Sequence, residues 1–201
     1  MIGEHKLRFA LISEAMEERE KDEDSVDWDN SPWGWIAQKS PKAKGVIFEN
    51  LLRRVLEFNG IPVGDRTEES HDFVIHEYRV EVKTAFVALT KTGKKHGVWN
   101  WIKTDGYDYM YLFMIFPDAI KAAFLNREAL LEHISGSCGQ KYTNSNGVIL
   151  DVVEGGPLWD YWMGICGNFE ETFEKSLLFF KRNGTGDFLR YDNGCSLMEE
   201  S

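Results

Sequence analysis

The chain has few cysteines, no long apolar run and no excess of basic charge. Its three cysteines, Cys138, Cys166 and Cys195, are an odd number with no CxxC spacing and no cysteine–histidine pairing. A disulfide framework and a zinc finger are therefore both excluded, and the three read as reduced thiols. The longest apolar run, around Met110 to Phe116, is far short of the roughly 20 residues that a membrane-spanning helix needs. The opening MIGEHKLRFA lacks an apolar signal core, so a soluble, intracellular (cytoplasmic) protein with no membrane partner is expected.

The formal net charge of −10 argues against a polyanionic partner, but the charge is unevenly spread. Residues 1–30 hold 4 basic and 10 acidic side chains, residues 31–103 hold 12 and 8, and residues 104–201 hold 7 and 15. Only the middle third is basic, and a local positive surface can steer a phosphate backbone even on an acidic protein. With 43% hydrophobic and 13% aromatic residues in 201, there is enough apolar material for one sizeable core and a single domain.

Leu7, Leu11, Ile12, Ala15 and Met16 recur on one side of an amphipathic helix at about 5–23, followed by the charged, turn-rich loop EREKDEDSVDWDNSP. A second helix is predicted over 43–59, where Ile47, Phe48, Leu51, Leu52, Val55 and Phe58 share a face and Asn59-Gly60 ends it. Residues 72–75 and 78–83 alternate as a half-buried hairpin. Phe73, Ile75, Val80 and Val82 fall on one face, and Asp72, Arg79, Glu81 and Lys83 on the other. VWNWIK, the central strand YDYMYLFMIF and the strand AIKAAFL follow, and Asn126 starts a helix. SGSCGQKYTNSNG (135–147) is a loop by composition. Asn168 with Glu171 resembles a capping box before Phe169, Phe173, Leu177 and Phe180.

A two-residue turn at His76-Glu77 pairs 75 with 78, 74 with 79, 73 with 80 and 72 with 81, so that Asp72 faces Glu81. Opposed carboxylates repel unless positive charge lies between them, and a divalent cation is the natural occupant. Mg²⁺ takes oxygen ligands, commonly one or two carboxylates with waters and phosphate oxygens. Lys83, two residues from Glu81 on the same face, could offset phosphate charge and assist an attacking water. Together these residues form the apparatus of metal-assisted phosphodiester hydrolysis.

An acidic residue two before a lysine occurs twice, at Glu4-His5-Lys6 and Glu81-Val82-Lys83, but only the second sits on a predicted strand that follows an acid-bearing strand. Here the sequence resembles the PD-(D/E)xK nuclease superfamily over about residues 45–125. In SHDFVIHEYRVEVKTA, Asp72 matches its metal-binding Asp, Glu81 its second carboxylate and Lys83 its lysine. Glu49 in GVIFENLLRRVLEFNGIPV matches a helix-borne Glu. His71 stands where the nominal motif has Pro, a position that varies widely in the superfamily.

The resemblance implies an α/β fold with a central mixed sheet flanked by helices and a restriction endonuclease-like core at about 43–134. The N-terminal helix and a C-terminal helical extension at about 157–184 would belong to the same single domain. It further implies a Mg²⁺-dependent DNA endonuclease, with Mn²⁺ substituting, that resembles type II restriction enzymes and acts on double-stranded DNA as a homodimer. Asp72, Glu81 and the Val82 carbonyl would hold the metal, with Lys83 and Glu49 as catalytic partners. A structure-specific nuclease, such as a Holliday junction resolvase or a repair or phage nuclease, and a non-catalytic binding module are the alternatives.

DNA contacts are expected from Lys91, Lys94, Lys95 and His96, which follow the lysine strand, and from Asn100 and Lys103, whose amide and ammonium groups can read base edges. Trp99 and Trp101 could stack on bases but read more readily as core, and Trp159, Tyr161 and Trp162 read as a C-terminal packing cluster rather than a dimer face. His71 reads as structural.

Overall fold

The computed structural model describes residues 28, 30–66, 68–136, 141–142 and 147–183. The expected helix at 5–23 and the tail beyond 183 lie outside them. A short helix α1 (Gly34–Ala37) precedes α2 (Pro41–Phe58). Ser40 caps α2, its Oγ accepting from the Ala43 N–H at 3.3 Å, and Pro41 opens it where no N–H is needed. Gly60, at φ +80°, ends the turn after Asn59. The predicted apolar face holds in part: Phe48, Leu51 and Leu52 are buried and Ile47 and Val55 half-buried, but Phe58 is 60% exposed and Leu56, not expected on that face, is buried instead; Glu49 stands at its flank.

Strands β1 (Val63–Asp65), β2 (Phe73–Ile75), β3 (Tyr78–Phe86), β6 (Tyr109–Ile115), β7 (Ile120–Asn126) and β10 (Gly167–Asn168) form one mixed sheet in the order β1-β2-β3-β6-β7-β10. Only β3 and β6 are parallel. Their crossover is a hairpin, β4 (Ala88–Leu89) and β5 (Lys95–Lys103), which belongs to a second, antiparallel sheet with β9 (Gly147–Val153) and β8 (Lys141–Tyr142). The helices α3 (Arg127–Gly136), α4 (Pro157–Ile165) and α5 (Phe169–Asn183) complete an α/β fold with a mixed central sheet flanked by helices.

Two cores result. Tyr111, Phe113 and Ile115 on one face of β6 pack with α2 and α5, while Met110, Leu112 and Met114 on the other meet Trp99, Ile102, Leu150 and Trp162. This explains why β6 is apolar on both faces. Cys166 is buried in the second core, and burial pushes its thiol up to about 12, which fits the inert role expected of it.

Four sequence expectations change. The polar face of β3 is not uniformly half-exposed: the second sheet covers Glu81, which is 2% exposed, while Arg79 and Lys83 stay partly open. Residues 157–184 are not purely helical, since β10 adds an edge strand beside β7. The loop expected at 135–147 contains the end of α3 and the short strand β8. Strand β9 went unpredicted although Val148, Leu150 and Val152 alternate as buried residues. The helix start at Asn126 holds: its Oδ1 accepts from the Ala129 N–H at 2.8 Å. At Asn168 the cap bond goes to the Glu170 N–H at 2.8 Å.

Candidate active site

The hairpin register is the predicted one, with 73 opposite 80, 74 opposite 79 and 75 opposite 78. His76 makes the two-residue turn possible by adopting φ 54°, the left-handed conformation that such turns demand. Beyond Val80, β2 no longer pairs with β3 and that edge of β3 lies open. Asp72 closes its first step: its N–H donates to the Val80 carbonyl at 3.0 Å, and its Oδ2 accepts from the Val82 N–H at 2.7 Å. In an extended strand the N–H and C=O of one residue point to the same side, so the Val82 carbonyl also emerges on this edge.

Glu81 points toward the second sheet. Its Oε1 lies 2.6 Å from Lys83 Nζ and 3.6 Å from Lys103 Nζ, and Lys103 also donates to the Glu69 carbonyl at 2.8 Å. Two lysines thus supply positive charge beside Glu81. Glu81 Oε2, by contrast, is buried and has no hydrogen-bond partner. Burial holds the Glu81 carboxyl above its ordinary value against the pull of Lys83, and Asp72 adds to the rise.

Glu49 reaches the same place from α2. Burial, with Asp72 and Glu81 nearby, pushes its carboxyl up to about 7, while Lys83 and Arg66 pull it down. The i,i+4 partner available to it, Arg53, instead pairs with Asp65 at 3.1 Å. Glu49, Asp72, Val82 and Lys83 line one open cleft of about 800 Å³ that runs between α2 and β5.

The fold brings Asn100 and Trp101 to this cleft, together with Lys42, Arg53 and Arg66, three cations that sequence reasoning missed. Their only sequence signal was the basic balance of the middle third. Lys91, Lys94, Lys95 and His96 do not line it. Lys95 lies at the far end of β5, five residues or roughly 16 Å of strand from Asn100. His96 Nδ1 is 2.9 Å from Asp151 Oδ1 on the neighbouring strand. His71 is buried beside Ser70 Oγ at 3.2 Å, in keeping with a structural role. Arg79, on the polar face of the hairpin, is engaged elsewhere by Asp108 through contacts of 2.9 and 3.1 Å.

Could these residues hold Mg²⁺? Among the described residues no three His, Cys, Asp or Glu side chains converge into an all-protein metal cage. Mg²⁺ needs none, since it binds through one or two carboxylates and keeps several waters. The all-oxygen set of Asp72, Glu81 and the Val82 carbonyl, with Glu81 Oε2 orphaned, fits it.

The raised Glu49 carboxyl has a measurable consequence. It binds its proton more tightly folded than unfolded, so its contribution to stability is full below pH 4.5 and lost as pH rises through about 7. Glu49→Gln should therefore melt above wild type at pH 8 by about 1 kcal/mol, after discounting for solvent at this half-buried site. At about pH 4 the two should coincide. Thermal melts at both pH values check this, and an equal difference at both would contradict the electrostatic cause.

Comparison with known proteins identifies no relative: no protein-family model, curated protein or solved structure matches the chain. Among the described residues no helix is long and apolar enough to cross a membrane.

Proposed function

We propose that this protein is a Mg²⁺-dependent nuclease with a restriction endonuclease-like core, hydrolysing phosphodiester bonds in duplex DNA at a specific sequence. The observation that carries the proposal is the convergence of Glu49, Asp72, the Val82 edge and Lys83 on one cleft, with Glu81 directly behind it. A structural ion pair would need only Glu81 and a lysine.

In this reading Asp72, Glu81 and the Val82 carbonyl hold the metal. When bound, Mg²⁺ supplies electrophilic stabilisation of the charge that develops on the scissile phosphate. Lys83 hydrogen-bonds and orients the attacking water and offsets phosphate charge. Glu49, its carboxyl pushed up to about 7, is matched to taking a proton from that water near neutral pH. Lys42 and Arg66, both exposed on the cleft rim, offer cationic contacts to the backbone on either side. Cutting both strands needs two such sites, hence a symmetric homodimer.

A non-catalytic nucleic-acid-binding module is the second reading, favoured by the Lys83 and Lys103 contacts that already offset Glu81. One experiment separates them. The full chain is incubated with bacterial and phage DNA, branched DNA and RNA in Mg²⁺, beside an EDTA control. Discrete bands from duplex DNA that vanish with EDTA are expected. Cleavage confined to branched DNA would move the proposal to a structure-specific nuclease. No cleavage of any substrate in Mg²⁺ or Mn²⁺ would favour the binding module.

A further inference from the structure

Trp99 and Trp101 stand two apart on β5, and strict alternation would place both on one face. They are instead separated. Trp99 is fully buried, its Nε1 donating to the Phe113 carbonyl at 2.8 Å, whereas Trp101 is 52% exposed and lines the cleft. The cause is a bulge: Trp99 pairs with Leu150 and Ile102 with Val148, leaving Asn100 and Trp101 opposite the single residue Ile149. Trp101 takes φ 57°, the left-handed conformation that costs a bulky L-residue roughly 1–2 kcal/mol.

Folding does not require the exposed half of this ring. The bulge returns Ile102 to the core, but any residue at 101 would allow that, and glycine would do so without strain. A half-exposed indole buries roughly 100 Å² in exchange, enough to offset that strain, but the other half of the ring gains nothing from the fold. The ring lies near Gly147, where a Cβ would sit 3.4 Å from its Cε3, and the rest faces the cleft. From the α2 wall of the same cleft, Val46 presents another exposed apolar side chain. An aromatic plate, an aliphatic contact on the opposite wall and flanking cations suit a flat apolar ring attached to a phosphate.

We infer that Trp101 is a stacking platform for an unstacked nucleobase beside the scissile phosphate, with the exposed Asn100 amide placed to meet that base's polar edge. The inference rests on the nuclease reading for the position of the phosphate and adds what that reading lacks, a base-binding subsite. The base comes either from a single strand or from a duplex by extrusion.

The test is equilibrium binding of the full chain in Mg²⁺ to fluorescein-labelled oligonucleotides with hydrolysis-resistant phosphorothioate linkages. The probes are a single strand, its duplex, and an abasic single strand of equal length. Trp101→Ala should bind the intact single strand about tenfold or more weakly than wild type, and Trp101→Phe should retain most of the affinity. The abasic strand should be bound alike by all three proteins, a result that a merely structural tryptophan would not produce. Trp101→Gly, which removes the ring and suits the left-handed backbone, should stay folded at the assay temperature while binding as weakly as Trp101→Ala.

An equal loss on the duplex identifies an extruded base, and a duplex indifferent to position 101 identifies a single-stranded one. Wild-type affinity of Trp101→Ala for both intact probes, or no binding of any probe by wild type, overturns the inference. Trp101-dependent binding without any Lys83-dependent cleavage leaves the subsite standing and removes the nuclease reading instead.

Discussion

Lys83→Ala is expected to lower Mg²⁺-dependent cleavage by at least about 100-fold, the low end of what a positioned proton-handling or charge-offsetting group contributes. Its ammonium is the cation nearest Glu81, at 2.6 Å, and it lines the cleft beside Asp72. Lys83→Arg should not restore the rate. A guanidinium keeps the charge, but its planar fork cannot reproduce a single rotatable ammonium at so short a distance.

The same substitution carries a stability signature. Without Lys83, Glu81 keeps only Lys103, at 3.6 Å, and its carboxyl, already held up by burial, rises further. A raised carboxyl contributes stability that is full below its unfolded value of 4.5 and lost as pH climbs through the folded one. The variant should therefore match wild type in acid and fall behind by about 1–3 kcal/mol near neutrality. That is less than the full cost of orphaning a buried charge, because Lys103 remains. Cleavage rates on the nucleic-acid panel and melts across pH check the two halves separately. If Lys83→Ala cuts as fast as wild type, the mechanism is wrong whatever the melts show.

Asp72→Asn should abolish the stabilisation of the folded chain by Mg²⁺. An amide keeps an oxygen to accept the Val82 N–H, now bonded to Asp72 Oδ2 at 2.7 Å, so the open edge of β3 stays capped. The negative charge is lost, and with it part of the repulsion felt by Glu49 and Glu81. Without metal the variant is expected to melt at or slightly above wild type. Wild type at a Mg²⁺ concentration 100 times its dissociation constant should gain about 2.7 kcal/mol, or roughly 5–10 °C. The variant should gain almost nothing. Differential scanning fluorimetry with and without Mg²⁺ reads this without any substrate. A wild-type melting temperature unmoved by Mg²⁺ and Mn²⁺ would remove the metal from the proposal.

The hairpin shows how much of the site was legible in the sequence. Alternation of Phe73, Ile75, Val80 and Val82 against Asp72, Glu81 and Lys83 set both faces, and a slip of one residue would have put the apolar set in water. The register follows from residues within a few positions of one another, and the structure keeps it for 73/80, 74/79 and 75/78, while 72 and 81 lie beyond the ladder. Glu49 was legible for a similar reason, because the apolar stripe of α2 determines which side of the helix lies at its flank.

What faces the polar side of β3 was not legible. Alternation says that Glu81 and Lys83 share a face but not whether water or protein covers it. Here β5 does, bringing Lys103 within 3.6 Å of Glu81 across 22 positions of sequence. Lys103 was expected at DNA and is found bracing a carboxylate. Lys91, Lys94 and Lys95 were grouped with the site because they follow its strand closely in sequence. Yet Lys91 and Lys94 lie in the β4–β5 turn and Lys95 at the start of β5, the end away from the cleft, and Lys42, Arg53 and Arg66 line it from chain that precedes β3.

By itself, then, the sequence determined α2, the start of α3, the central strand β6, α5, the faces of the β2–β3 hairpin and its register from 73/80 to 75/78. Each of these depends on short-range periodicity, on turn chemistry and on the cost of exposing apolar side chains. Only the tertiary structure decided that Glu81 is buried, which lysines neutralise it, which cations line the cleft, and that Trp101 parts from Trp99 to face it. Those outcomes depend on how two sheets pack and on a single extra residue in one strand, and neither leaves a periodic trace in the chain.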